Sequence, residues 1–383
     1  MAMEWPDYPW AELSADAVLD GWRERIARVA SEESHHFALL PYVRGVAVIG
    51  GVGRGSHWPC SDIDMLIAAD AWRGRDPEDL VRAEEHKRND RLYQQGIPND
   101  IEASGWVVLA RDLSEAVTES DDAFFARLEH PHWLGIVIKS AGARATHDFG
   151  GCVHAFLDRC NETFYTDRFA QLWLHKVITY CTEQLGIAER HIRDGRHMQG
   201  SLDILRTTYQ RLPAGAYAIW RKIPQSSARS VTRFLRVAGE AGDSTVAALY
   251  LAASRLAEQT VWERFAAVPL RGRQMRDLMW TIRRGAGEEL DELSVTRDVL
   301  NLSLWTTVIT DSSDGPRPAW TGATPDPGKV LRQFEAARTL LDWLHKEADT
   351  PTSASRRRGQ TGLTHHVKGT GRSGDADGSA ENQ

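Results

Sequence analysis

The first third of the chain alternates between two spacings of apolar residues. Residues 11–34 carry apolar side chains three or four positions apart, which predicts an amphipathic helix with one buried face. The segments 43–50 and 62–68 are short and rich in apolar and β-branched residues, and they predict strands. A charged stretch, 77–95, predicts a second helix, and 100–109 predicts a third strand. Together these segments predict a small mixed sheet with helices packed against it.

From about residue 150 onward, the apolar residues follow the helical period instead. A long helix is predicted by a stripe of apolar side chains: Phe169, Leu172, Trp173, Val177, Cys181, Leu185, Ala188 and Ile192. Further helices are predicted near 201–212, 227–240, 244–267, 271–284, 288–309 and 328–348. The short apolar run 133–139 fits either a strand or the start of a helix.

The predicted fold class is therefore α+β. It combines a small mixed-sheet domain in residues 1–130, an all-α helical domain in 150–348 and a tail in 350–383. We expect the tail to be disordered, because it consists of Ser, Thr, Gly, Arg and Asp with almost no apolar residue to bury. The length of 383 residues suits two domains.

Composition narrows the classes of protein that the chain can belong to. A net charge of −7 argues against a general nucleic-acid-binding protein, which would need a basic face. No stretch approaches the about 18 uninterrupted apolar residues of a membrane-spanning helix, and the N-terminus lacks a secretion signal. We therefore expect a cytoplasmic protein without a membrane partner. Reduced thiols are expected because no CxxC spacing joins the four cysteines, Cys60, Cys152, Cys160 and Cys181.

The most specific pattern lies in residues 48–67, where an apolar strand, a glycine-rich turn and two carboxylates follow one another. Asp62 and Asp64 are two positions apart in an alternating segment, so both would project from one face of a strand. Neighbouring carboxylates repel unless a cation lies between them, and hard oxygen ligands suit Mg²⁺. The turn can bring backbone N–H groups close to a phosphate because it holds four glycines, Gly50, Gly51, Gly53 and Gly55.

This order of features resembles the nucleotidyltransferase superfamily that contains DNA polymerase β. The signature of that superfamily is an apolar residue, Gly-Gly or Gly-Ser, a spacer, and Asp-x-Asp between apolar residues. Here Gly50-Gly51 is followed by a spacer of ten residues and by Asp62-Ile63-Asp64. The Arg-Gly pair at 54–55 and the Pro-x-Ser at 59–61 are similar to the antibiotic-modifying branch, which includes the kanamycin and aminoglycoside nucleotidyltransferases.

The resemblance implies transfer of a nucleoside monophosphate, AMP from ATP or another nucleoside triphosphate, to a hydroxyl group with release of pyrophosphate. It implies two Mg²⁺ ions held by Asp62, Asp64 and a third carboxylate on the next strand. Asp100 is slightly favoured over Glu102 for that third position, and all four carboxylates are candidate catalytic residues. The nucleotide would contact the turn and its flanks, with Gly50, Gly51, Arg54, Gly55, Ser56 and Ser61 as candidate binding residues.

The acceptor is expected to be a small hydroxylated molecule such as an aminoglycoside-like antibiotic, bound with help from the helical domain. Glu183 and Glu189 are candidates for the general base, and a homodimer is a further expectation from the resemblance. Alternatives stay open. The acceptor could be a protein or RNA, the chain could be a non-catalytic nucleotide-binding module, and Asp100 and Glu102 could be solvated strand residues.

Overall fold

A computed structural model describes residues 15–57, 61–95, 97, 99–224, 230–266, 276–277, 279–281, 283–284, 291–310 and 326–350. Within these residues the fold mixes helices with one small mixed sheet, so the predicted α+β class is confirmed in this form. The division into two domains stays a prediction. Residues 351–383 of the predicted tail lie outside the described part of the chain.

The sheet is built from strands of two to seven residues. They are β1 Val43–Val48, β2 Ile63–Ala69, β3 Ile101–Glu102, β4 Val107–Leu109 and β5 Arg144–Asp148. The order is β3-β2-β1-β5, and β4 also pairs with β2. β1 is antiparallel to β2 and β5, whereas β2 is parallel to β3 and β4. Every residue of β2 is buried, as expected for a strand covered on both faces.

Helices surround this sheet and continue beyond it. Those in the first half are α1 Ala15–Ala38, α2 Gly50–Gly53, α3 Pro77–Gln94, α4 Ala110–Thr118, α5 Asp121–Arg127, α6 Pro131–Ser140 and α7 Cys152–Phe164. Those in the second half are α8 Asp167–Arg193, α9 His197–Gln210, α10 Leu212–Trp220, α11 Ser230–Glu240, α12 Ser244–Ala253, α13 Glu258–Ala266, α14 Glu292–Thr310 and α15 Pro327–Ala348.

The run 133–139, which the sequence leaves undecided, lies in helix α6. The helix begins at Pro131, whose fixed φ suits the first turn, and the His130 side chain accepts a hydrogen bond from the His132 N–H at 3.3 Å. Strand β5 follows α6 and pairs with β1, so the sheet extends beyond residue 130. The apolar pattern misses β5 because none of its residues is fully buried at this edge of the sheet.

The prediction of one continuous strand over 100–109 is wrong. A short 3₁₀ turn, Ser104–Trp106, separates β3 from β4, and both strands pair with β2. Helix α3 holds the turn, because Glu85 accepts hydrogen bonds from the N–H groups of Ala103 and Ser104 at 2.7 and 2.6 Å. The break places Trp106 between the two short strands.

The second half confirms the predicted helical stripe on α8. Its apolar residues are buried apart from Leu172, which is half-buried. The predicted helix over 244–267 is in fact two helices, α12 and α13, and α10 is a helix that the pattern does not predict. Cys152, Cys160 and Cys181 are free thiols, as expected, while Cys60 lies outside the described residues. Among the described helices, none combines the length and the apolar character needed to cross a membrane.

Candidate active site

Asp64 lies directly against the glycine turn. Its side chain is only 5 % exposed, and its backbone carbonyl accepts a hydrogen bond from the Ile49 N–H at 2.9 Å. Gly50 follows with a φ of 66°, in the left-handed region that favours glycine. A Cβ atom at position 50 would collide with the Asp64 carboxylate. The glycine at this position therefore lets the turn and the carboxylate touch.

Glu102 lies beside Asp64 on the neighbouring strand. The parallel register of β2 and β3 pairs Asp64 with Glu102 and Ile63 with Ile101. Both isoleucines are buried in the core, so the alternation of a strand directs the acidic side chains of Asp62, Asp64 and Glu102 to the other face. One face beside the glycine turn therefore carries three carboxylates: Asp64 of β2, Asp62 directly before β2, and Glu102 of β3.

This crowding changes the proton affinity of the carboxylates. The pKa of Asp62 is raised to about 6, mainly because the protein removes water from it, and further by repulsion from Asp64 and Asp100. The pKa of Glu102 is raised to about 8 by the same loss of water and by repulsion from Asp62 and Asp64. Both residues nevertheless keep an exposed surface, so solvent and ligands can reach them. The raised pKa favours the protonated form of Glu102, which carries no negative charge into the cluster.

Asp100 is less closely coupled to the pair than Glu102. Its pKa is raised by burial and by Glu85, and it in turn raises the pKa of Asp62. Its backbone carbonyl accepts a hydrogen bond from the Ile63 N–H at 2.8 Å, which fixes it at the start of the β2–β3 pairing. The geometry therefore favours Glu102 as the third carboxylate, whereas the sequence slightly favours Asp100. Which of the two binds a cation stays a prediction.

Lys139 supplies a positive charge to this acidic face. Its Nζ atom lies 2.8 Å from Oδ1 and 3.0 Å from Oδ2 of Asp64, and its charge opposes the rise in the pKa values of Asp62 and Glu102. The same Nζ lies 5.6 Å from the ring centroid of Trp106. The sequence does not single out Lys139. In the sequence, Lys139 stands out only as a single charged residue at the end of the apolar run 133–139. The apolar pattern does not decide whether that run is a strand or a helix.

The Arg54 side chain extends from the glycine turn to the end of α6. Its Nη1 donates to the backbone carbonyls of Lys139 at 3.1 Å and Ala141 at 3.3 Å. Burial lowers its pKa, and the nearby Asp64 opposes that shift. In the described conformation Arg54 thus joins the turn to the end of α6. Contact between Arg54 and a phosphate stays a prediction.

The other predicted nucleotide-binding residues surround the same turn. The Ser56 N–H donates to the Gly51 carbonyl at 2.9 Å, and this bond closes the turn. Gly55 has a φ of 66°, and a Cβ atom added there would meet nothing within 4 Å, so this residue lies against open space. Ser61 is buried, and its carbonyl accepts a hydrogen bond from Asn99 at 2.9 Å. The turn therefore has an open side at Gly55.

The chemistry of these side chains fits a divalent cation. In the described part of the chain, no group of three His, Cys, Asp or Glu side chains is arranged closely enough to hold a metal ion. Instead, the Lys139 ammonium group occupies a position between the two oxygens of Asp64, and it acts there as a stand-in cation. Asp62, Asp64 and Glu102 would supply only oxygen ligands, which suit Mg²⁺.

The structure gives no support to the two general-base candidates. Glu189 forms surface ion pairs with Arg193 at 3.2 Å and Arg338 at 3.5 Å. Glu183 is exposed on α8, and no hydrogen bond or ion pair among the described residues joins it to the acidic face. A base for the acceptor hydroxyl stays unassigned.

Comparison with known proteins does not assign the chain to a family. No family model and no curated protein matches the chain.

Proposed function

We propose that the protein is a metal-dependent nucleotidyltransferase that transfers AMP from ATP, or the corresponding group of another nucleoside triphosphate, to a hydroxyl of a small molecule. The observation that carries the proposal is the contact between Gly50 and the Asp64 carboxylate, with Glu102 in register beside it. A ligand phosphate at the open turn would lie next to an oxygen-rich cation site. An aminoglycoside-like acceptor and a cytoplasmic location are parts of the proposal that rest on the sequence.

In the reaction, the acceptor oxygen forms a bond to the α-phosphorus, the bond from that phosphorus to the α,β-bridging oxygen breaks, and pyrophosphate leaves. The hydroxyl proton passes to a base. Mg²⁺, when bound, neutralises phosphate charge and orients the reacting oxygens. Asp62, Asp64 and Glu102 would hold it, and the glycine turn would let the triphosphate approach the backbone closely. Positioning and charge neutralisation therefore account for most of the catalysis.

The proposal is tested by pyrophosphate release from each ribonucleoside triphosphate with MgCl₂. The acceptor panel contains aminoglycosides, other hydroxylated metabolites, bulk tRNA and lysate protein. Wild type is compared with Asp62→Asn and Asp64→Asn, which should lose about 10²-fold or more of the rate because each removes a charged ligand. The matched control is Asp70→Asn, since Asp70 follows the other end of β2 and pairs with Arg44 at 2.5 Å.

Each alternative function has its own signature in this assay. Release with protein or tRNA alone would move the acceptor to a macromolecule, and labelled nucleotide would then appear in that polymer. Magnesium-dependent ATP binding without turnover on any acceptor would indicate a non-catalytic module. Release that persists in both aspartate variants would contradict the proposed site.

A further inference from the structure

Lys139 contributes a cation from outside the sheet to the acidic face. It lies near the end of α6, and its Nζ reaches both carboxylate oxygens of Asp64, at 2.8 and 3.0 Å. These are the distances of charge-assisted hydrogen bonds. A carboxylate that is 5 % exposed is costly to bury without a partner, and the ammonium provides that partner.

We propose that Lys139 is an internal counter-ion that occupies Asp64 in the metal-free protein and competes with the divalent cation for the same two oxygens. The inference rests on the proposed function, because the competing cation is the one that nucleotide transfer needs. Two positive charges at one carboxylate repel each other, so the ammonium must leave when the metal arrives. Lys139 therefore sets the affinity of the site for metal.

Only the side chain of Lys139 has to move for the ammonium group to leave Asp64. Arg54 donates to the Lys139 carbonyl, which fixes the end of α6 against the glycine turn. Asp64 is buried in the central strand, whereas the Lys139 side chain is 37 % exposed. The ammonium can therefore leave Asp64 by rotation of its own side chain, without unfolding the helix.

Trp106 lies beside the ammonium group while Lys139 is bound to Asp64. Its ring centroid lies 5.6 Å from Nζ, within the range of a cation–π contact. The indole also stacks on His132, with an interplanar angle of 16°, which holds the ring along α6. Lys139 can thus stay near the site after it releases Asp64.

The test measures MnCl₂ binding to the full chain by calorimetry, without nucleotide. Removing the ammonium in Lys139→Gln should tighten Mn²⁺ binding at least about tenfold, because the competing charge is gone. Lys139→Arg restores a positive charge and should bind Mn²⁺ about as weakly as wild type. The matched control is Lys176→Gln, which removes a lysine paired with Glu129 on the surface of α8 and should leave Mn²⁺ binding unchanged.

The outcomes separate this inference from the proposed function. Equal Mn²⁺ affinity in wild type and Lys139→Gln would overturn the competition and leave the proposed function standing. Mn²⁺ binding by Lys139→Gln but not by wild type would support the competition and would show that Lys139 blocks the site completely without nucleotide. Absence of binding in both proteins, with both still folded by circular dichroism, would overturn both claims.

A second measurement follows Lys139 directly in the wild-type protein, in which the ion pair with Asp64 is intact. Reductive ¹³C-methylation labels the lysines of the wild-type protein, and the Lys139 signal is identified by its absence in Lys139→Arg. Addition of MgCl₂ should shift that signal as the ammonium leaves Asp64. An unchanged Lys139 signal at saturating MgCl₂ would contradict the exchange.

Discussion

Among single residues, Gly50 allows the glycine turn to pack directly against Asp64, because it has a left-handed backbone conformation and no Cβ atom. Its φ of 66° suits glycine, and the space for a Cβ atom is filled by the Asp64 carboxylate. The sequence predicts the turn and the two aspartates because they lie within one short segment. It does not show which of Asp100 and Glu102 lies opposite Asp64, because the register between β2 and β3 decides that pairing.

Gly50→Ala should therefore lower stability more than Gly55→Ala does. Both positions have a φ of 66°, so alanine is strained at either one by about 1–2 kcal/mol. Only position 50 adds a collision with Asp64, which should bring the total loss to about 2–5 kcal/mol. Chemical denaturation of both variants checks the difference. Equal losses would show that Asp64 does not touch the turn.

The raised pKa of Glu102 predicts how stability changes with pH. Its pKa is 4.5 when unperturbed and about 8 in the folded protein, so the folded state binds more protons between these values. The free energy of unfolding should therefore fall as pH rises from about 5 to about 8 in EDTA. Glu102→Gln should flatten that slope, most clearly above about pH 7, where Asp62, with a pKa of about 6, contributes little. Thermal melts across this range test the expectation, and equal slopes in the two proteins would refute it.

Among the elements, the break between β3 and β4 depends on helix α3. The Asn89 side chain donates to the Ile101 carbonyl at 3.0 Å and accepts from the Ile101 N–H at 2.8 Å. A side-chain amide thus takes the place of a neighbouring strand at the outer edge of β3. The apolar pattern over 100–109 predicts strand because it reports burial, whereas the hydrogen bonds from the N–H groups of Ala103 and Ser104 to Glu85 interrupt the strand.

Asn89→Ala should loosen β3 and the carboxylate that it carries. Two backbone groups of Ile101 lose their partners, which should cost about 1–3 kcal/mol. Hydrogen exchange at residues 99–102 should accelerate, and any magnesium-dependent activity should fall with it. Asp90→Ala is the matched control, because Asp90 is exposed on the same helix. Equal exchange rates in the two variants would contradict the role of Asn89.

For the molecule as a whole, each half contains a buried ion pair. In the first half, Arg88 Nε donates to Glu33 at 2.5 Å, and this pair joins α3 to α1. In the second half, Arg283 Nη1 lies 2.7 Å from Asp298, which also accepts from the Val231 N–H at 3.0 Å. Burial raises the pKa of Asp298, and the Arg283 guanidinium opposes that shift. These pairs can report separately on the two predicted domains.

If the two halves unfold as separate domains, calorimetry should resolve two transitions. Glu33→Ala should lower the melting temperature of only one transition, and Asp298→Ala that of only the other. Each substitution should reduce the stability of its domain by about 3–5 kcal/mol, as expected when one partner of a buried ion pair is lost. A double variant should lower both by the same amounts. A single transition that both substitutions shift would show one cooperative unit instead.

Features that depend on neighbours along the chain could be predicted from the amino-acid order. The stripe on α8, the turn at Gly50 and the alternation of Asp62 and Asp64 all follow from local spacing, because helix and strand periods decide which nearby side chains share a face. The partner of Asp64 could not be predicted in this way. Lys139 is 75 positions away and reaches Asp64 only because α6 packs beside the turn. Packing between distant elements decides such contacts, since local periodicity carries no information about which faces meet.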